Sequence, residues 1–282
     1  MPRKKLYFDL MATLKELRNE GQKINKYDDA LQFAKMVADD ARKISSQYYK
    51  TDLKFVTKSD TSPVTIADEK INQMVINRVK EHFPEHGVLG EEKSWQTDKE
   101  YLWVCDPIDG TIAFSMGDPT FMFSLALVEN GKPVVAVAGD LANGGIFWAT
   151  KDGGAYFDGK PIHVSSRKMS EAWLAFPTGL KWLYSRQSMY ERLAKEAYQT
   201  NIIHGGVFKG VLIAQGLSDG TIWPETIQPW DMAAVKLIVE EAGGRLTNAK
   251  GLDHLFNEEL TGGVIISNGV IHEDLLGIVN NS

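Results

Sequence analysis

The sequence predicts an α+β fold, on three observations. An opening stretch carries apolar residues at helical spacing, a middle stretch carries short apolar runs separated by turn residues, and the second half alternates extended and helical patterns. The chain has 282 residues, 43% hydrophobic and 24% charged, which suits one large core or two modest ones.

Residues 28–49 place Leu31, Ala34, Ala38, Ala41, Ile44 and Tyr48 on one face with charges opposite, which predicts an amphipathic helix. Residues 59–63 read as a loop. Thr65 then caps a second helix, with Asp68 at the third helical position as in a capping box. Ile71, Met74, Val75, Val79 and Phe83 supply its buried face, and Pro84 stops it.

Beyond Pro84 the period changes. Residues 87–90 and 101–105 are short apolar runs that end in acids. Residues 121–128 and 133–138 flank Asn130-Gly131, a hairpin signal, and residues 146–149 and 155–157 flank a second turn at Asp152-Gly153-Gly154. In the second half, helices are expected at 188–198, 207–215, 231–242 and 271–279. Extended segments at 201–204, 221–223 and 264–267 lie between them, and Gly243-Gly244 ends the third helix. With no internal repeat and no low-complexity linker, the reading divides the chain into an added helical segment (1–26), an α+β metal-binding unit (27–180) and an α/β unit (181–282).

Bulk properties narrow the function. A net charge of −6 argues against a nucleic-acid surface, although a bound cation can reverse the sign of a local site. The lone Cys105 leaves no intrachain disulfide. The basic start Met1-Pro2-Arg3-Lys4-Lys5 meets Asp9 with no apolar run between, so no signal peptide is expected. No stretch approaches the roughly 20 apolar residues of a membrane span. A cytoplasmic protein without a membrane partner is the expectation.

The strongest local signal is Asp106-Pro107-Ile108-Asp109-Gly110-Thr111, directly after the strand at 101–105. Two carboxylates leaving a strand three residues apart, with a glycine for a tight turn, can converge on one point; alone, the pattern is more often a turn in which an Asp bonds its own backbone. Three further elements weigh against the turn. They are Gly90-Glu91-Glu92 at the end of the preceding strand, Trp230-Asp231 at a helix start, and Lys58-Ser59-Asp60-Thr61-Ser62-Pro63-Val64-Thr65-Ile66-Ala67-Asp68 around another.

Taken in chain order, from residue 58 to 231, these four elements resemble the inositol monophosphatase family of metal-dependent phosphatases, over a region from about Asp28 onward. The resemblance implies a layered αβαβα sandwich of the inositol monophosphatase and fructose bisphosphatase type, a homodimer, and two or three Mg²⁺ ions per site. Glu91, Asp106 and the carbonyl of Ile108 would hold the first ion; Asp106, Asp109 and Asp231 the second; Glu91 would steady a third through water. Thr111, supported by Asp68, would orient the attacking water. The N–H groups of Gly110 and Thr111 would cradle the phosphate, and Lys58 and Glu92 would lie close by. The chemistry suits these residues, because Mg²⁺ prefers hard oxygen ligands and two ions roughly 3.5–4 Å apart can clamp the attacking and leaving oxygens.

The expected substrate is a small phosphorylated metabolite, a monoester of the inositol 1-phosphate kind. Ile112-Ala113-Phe114 departs from the inositol enzymes, which commonly carry an Asn-Phe pair there, and Pro229-Trp230-Asp231 looks more like the histidinol-phosphate phosphatases of the superfamily. A fructose 1,6-bisphosphate or adenosine bisphosphate substrate, or a regulatory binding protein that keeps the fold, are further alternatives. Glu225 is a candidate for gripping the organic group, equally readable as a solvated loop acid. Lys209 could meet a second phosphate, but a solvent-facing lysine at a helix start is the plainer reading. His82 and His86 have zinc-pair spacing, yet Pro84 breaks the helix that spacing needs, which leaves them as surface residues. Cys105 reads as a core thiol.

Overall fold

A computed structural model of the chain describes residues 26–51, 56–57, 63–176 and 184–280. The expected N-terminal helix, Lys58 and the expected unit boundary near residue 180 lie outside the described residues.

The first expected helix is α1 (Asp28–Ser45), which buries Leu31, Phe33, Ala34, Val37, Ala38 and Ala41. It stops short of residue 49 because side chains take its last carbonyls: Ser45 Oγ donates to Arg42 O, and Ser46 Oγ and Gln47 Nε2 donate to Lys43 O. A ribbon of β1 (Val56–Thr57) and β2 (Pro63–Val64) follows. Helix α2 (Ile66–His82) starts on the expected capping box: Thr65 Oγ1 accepts from the Ala67 N–H at 3.2 Å, and Asp68 Oδ2 accepts from the Thr65 N–H at 2.9 Å.

The larger sheet runs in simple chain order: β3 (Gly87–Gly90), β4 (Tyr101–Asp109), β5 (Met122–Glu129), β6 (Lys132–Asp140), β7 (Ile146–Thr150), β8 (Ala155–Phe157) and β9 (Lys160–Pro161). Only β3 and β4 pair in parallel. The short helix α3 (Thr111–Met116) joins β4 to β5. Strand residues alternate between two cores. Trp103 and Cys105 of β4 and Phe123 and Leu125 of β5 pack with α1 and α2, whereas Leu102, Val104, Met122 and Ala126 face the other way.

That second face is covered by α5 (Gly206–Ala214) and α6 (Pro229–Glu241), which follow α4 (Gln187–Glu196) among the described residues. On their far side lies a five-stranded sheet built from β10 (Trp173–Phe176), β11 (Gln199–Ile202), β12 (Gly220–Trp223), β13 (Arg245–Thr247) and β14 (Val264–Ser267), in the order β11-β10-β12-β14-β13. Val264 and Ile266 of β14 join the core around α5 and α6, while Ile265 turns to the outer core formed with α4 and α7 (His272–Asn280). The layers are therefore αβαβα, as expected. The second sheet already includes β10, ahead of residue 181.

His82 and His86 are not surface residues, as the sequence reading had them. Both are half-buried: His82 lies 5.3 Å from the Phe33 ring, and His86 stacks 4.8 Å from Phe83 and 5.0 Å from Tyr101. The apolar cluster beneath α2 extends past Pro84 and takes both imidazoles as aromatic packing, and burial lowers the His86 pKa. Phe33, fully buried with ring centroids 5.0 Å from Phe83 and from Trp103, anchors that cluster. Phe33→Ala should cost about 3–5 kcal/mol in urea denaturation, and a loss below about 1 kcal/mol would contradict this packing.

Candidate active site

Strand β4 carries two of the acids past its own hydrogen-bonded ladder. Asp106 pairs with Ser124 and Asp109 with Met122, with a register shift between them, so the chain bulges over Pro107 and Ile108. The bulge brings both carboxylates to one end of the sheet. Gly110 then reverses the chain into α3 at φ +88°, where a Cβ would stand 3.0 Å from Thr120 O. Asp231 arrives from the first turn of α6, where its Oδ2 accepts from the Gln228 N–H at 3.3 Å. Ser124 Oγ donates to Trp230 O at 3.3 Å and ties that helix start to β5. Ligand oxygens of Asp106, Asp109 and Asp231 all lie within 4.8 Å of one another.

The three carboxylates are supported unequally. Asp109 accepts three amides from the N-terminus of α5: Gly206 at 2.7 Å, Val207 at 2.8 Å and Phe208 at 3.4 Å. A carboxylate there is stabilised by unpaired donors and by the positive end of the helix dipole. The approach requires glycine at 205, which sits at φ +73° and whose added Cβ would lie 2.7 Å from Asp109 Oδ2. Asp106 has no such support; it is 2% exposed and its Oδ1 has no hydrogen-bond partner.

Glu91 follows β3 directly, its N–H donating to Cys105 O at 3.2 Å, and its half-buried carboxylate acts electrostatically on Asp106 and Asp231. Glu92 is half-buried beside it. Thr111 opens α3, and its hydroxyl lies 3.4 Å from Asp68 Oδ1 and 3.2 Å from Ile108 O. The amides of Gly110 and Thr111 belong to the unpaired first turn of that helix, whose first backbone bond runs from Phe114 N–H to Gly110 O. Glu225 is exposed in the segment between β12 and α6. Its charge helps raise the pKa of Tyr190 on α4.

Lys209 differs from its sequence reading. Rather than facing solvent at a helix start, it is 2% exposed, donates from Nζ to Ile203 O at 2.9 Å, and lies 4.6 Å from the Trp223 ring centroid. Burial lowers its pKa to about 8, against the opposing pull of Asp109 and Asp231. Helical periodicity carried the side chain inward because α5 packs between two sheets and exposes little of its circumference. The α5 amides at 206–208 were also missed; the Gly205-Gly206 pair ahead of an apolar helical run was the available signal.

Electrostatics mark the pocket as incomplete without positive charge. Burial raises Asp106 well above the usual carboxylate range, followed by repulsion from Glu91, Asp109, Asp231 and Asp68. Asp231 is raised well above that range by burial, then by Asp109 and Glu91. Asp109 is raised by burial against Lys209 and its three amides. Asp68 rises to about 7, first through burial and then through Glu92 and Glu91, against its Thr65 bonds. All donors are hard oxygens and one buried oxygen is unsatisfied, so the residues fit a divalent cation such as Mg²⁺.

The metal-free folded chain therefore holds protons on these acids that the unfolded chain releases near pH 4. Their contribution to stability is complete below that pH and is lost as pH rises through the folded-state values, about 7 for Asp68 and raised well above the usual carboxylate range for Asp106 and Asp231. Mg²⁺ should consequently raise the Tm more at pH 8 than at pH 5.5. A gain independent of pH in thermal scans would contradict a cation bound among these acids.

Comparison with known proteins identifies the family. The family model described as "Inositol monophosphatase family" matches residues 26–282. The chain is 33% identical over 267 residues to a histidinol-phosphatase of Streptomyces coelicolor, covering 90% of this chain and 98% of the relative. It is 32% identical over 219 residues to a fructose-1,6-bisphosphatase/inositol-1-monophosphatase of Thermotoga maritima, covering 77% and 82%. The solved structure of a Thermotoga maritima IMPase superposes with a TM-score of 0.81 at 28% identity, covering 90% of this chain and 97% of that one. The chain belongs to the inositol monophosphatase family, and with it to the phosphoric monoester hydrolases.

Proposed function

We propose that this pocket is the active site of a Mg²⁺-dependent phosphatase that hydrolyses a small phosphate monoester by direct attack of water. The observation that carries the reading is the convergence of Asp106, Asp109 and Asp231 within 4.8 Å, with an unsatisfied buried oxygen on Asp106. Glu91, Asp106 and the Ile108 carbonyl would hold one ion, and Asp106, Asp109 and Asp231 a second. Bound there, Mg²⁺ would activate water and neutralise phosphoryl and leaving-group oxygens.

The chain's own groups do the positioning. Thr111 Oγ1, held between Asp68 Oδ1 and Ile108 O, presents a hydroxyl that orients the attacking water, and Asp68 fixes that hydroxyl. The first-turn amides of α3 at Gly110 and Thr111 would cradle the phosphate oxygens, a role that asks for no basic side chain. Glu225, exposed between β12 and α6, would grip the organic part of a substrate. The same reading includes two or three Mg²⁺ ions, a homodimer, a cytoplasmic setting and a division of the chain near residue 180, each resting on the family resemblance or the sequence pattern. Among the described residues no helix is long and apolar enough to cross a membrane.

An inositol 1-phosphate-like monoester is the leading substrate. Histidinol phosphate is the second, favoured by the Pro229-Trp230-Asp231 ending and by the near-complete match to a relative named for that activity. A kcat/KM panel of inositol 1-phosphate, histidinol phosphate, fructose 1,6-bisphosphate, an adenosine bisphosphate and NADP should show Mg²⁺-stimulated release from at least one, with the preferred alcohol identified by rank. No release from any would refute the assignment. Asp231→Asn should lower kcat by about a hundredfold or more, the equivalent of several kcal/mol of charge stabilisation. Thr111→Ala should lower kcat about a hundredfold with KM nearly unchanged, since it orients water rather than substrate. A shift confined to KM would move Thr111 out of that role.

A further inference from the structure

Lys209 is a buried cation that the reaction above does not use. It is 2% exposed, its Nζ is committed to Ile203 O at 2.9 Å, and Trp223 closes over it at 4.6 Å. Nζ donates to a backbone carbonyl, Ile203 O, while the charges of Asp109 and Asp231 both act on it. An unpaired buried ammonium is costly, so it persists where a field of opposite sign surrounds it. That field belongs to the acid cluster. Enclosure also removes the alternative of direct contact with a second phosphate on a substrate.

We propose that Lys209 is a resident counter-ion of the Asp109–Asp231 side of the pocket, which lowers the affinity of that side for a divalent cation. The inference rests on the Mg²⁺ reading above. A fixed positive charge on the helix whose first amides bind Asp109 repels an ion with twice its charge. At an effective dielectric of about 20, such a repulsion reaches at least tenfold in affinity. Lys209 would act only through Asp109 and Asp231, not by touching substrate, which makes it a positioning charge and not a catalytic residue.

The test is calorimetric titration of Mg²⁺ into wild type, Lys209→Gln, Lys209→Met and Lys209→Arg, with no substrate present. Glutamine keeps a donor for Ile203 O, methionine keeps the packing on Trp223, and arginine keeps the charge, so loss of fold in one neutral variant leaves the other to decide. Both neutral variants should bind the weaker Mg²⁺ about tenfold more tightly than wild type, while Lys209→Arg stays within about threefold. Unchanged or weakened Mg²⁺ affinity in the neutral variants would overturn the counter-ion role and leave the metal site standing. Absence of Mg²⁺ binding to wild type would refute the metal reading itself, and Lys209's role with it.

Discussion

Mutual repulsion among buried and half-buried carboxylates is the constraint around which this molecule is arranged. Three of them share a space under 5 Å across, and a fourth, Glu91, adds its charge from the end of the neighbouring strand. Such a cluster is unfavourable unless each charge meets donors or cations. The fold answers in part. Asp109 receives three amides from α5, Asp231 one from its own helix start, and Lys209 contributes a positive charge that acts on both. Asp106, the deepest of the three, keeps an unsatisfied oxygen, and that remaining deficit is what a divalent cation would supply.

The layers give this cluster a rigid mount. Both faces of β4 and β5 are buried, so the bulge that carries Asp106 and Asp109 projects from strands held on each side by side-chain packing. Helices α5 and α6 pack between the two sheets and aim their N-termini at the same place, and the Ser124–Trp230 contact fixes α6 against β5. Charge stabilisation and charge clustering thus share one location. Thr111 and Asp68 reach it by a second route, through the capping box of α2, which orients Asp68 for its helix and for the pocket together.

Legibility in the sequence followed the range of the interaction. The Thr65–Asp68 capping box and the Asn130-Gly131 hairpin were readable because each is closed within a few residues, and Asn130 and Gly131 do adopt positive φ. β10 and β13 left no periodic signal: they span four and three residues, and partners distant in the chain hold them in the sheet. The end of α1 was misplaced because hydroxyl and amide side chains took carbonyls that a helical apolar pattern cannot register. For His82 and His86 the helix break at Pro84, and for Lys209 the helix start, point to solvent in the sequence, whereas burial of each depends on what packs from elsewhere in the chain.

Residue chemistry and local turn geometry determined, by themselves, which groups could hold a hard cation and which strand and helix ends would present them. Carboxylates, a tight glycine turn and a helix-opening acid are covalent facts of the chain. Tertiary structure decided that Asp231 stands beside Asp109, that the α5 amides meet Asp109 across the glycine at 205, and that an enclosed lysine feels the charge of both. Those outcomes depend on the angle and spacing at which two sheets pack against a shared helical layer. That spacing is set by the summed volume of many side chains, which no single motif carries.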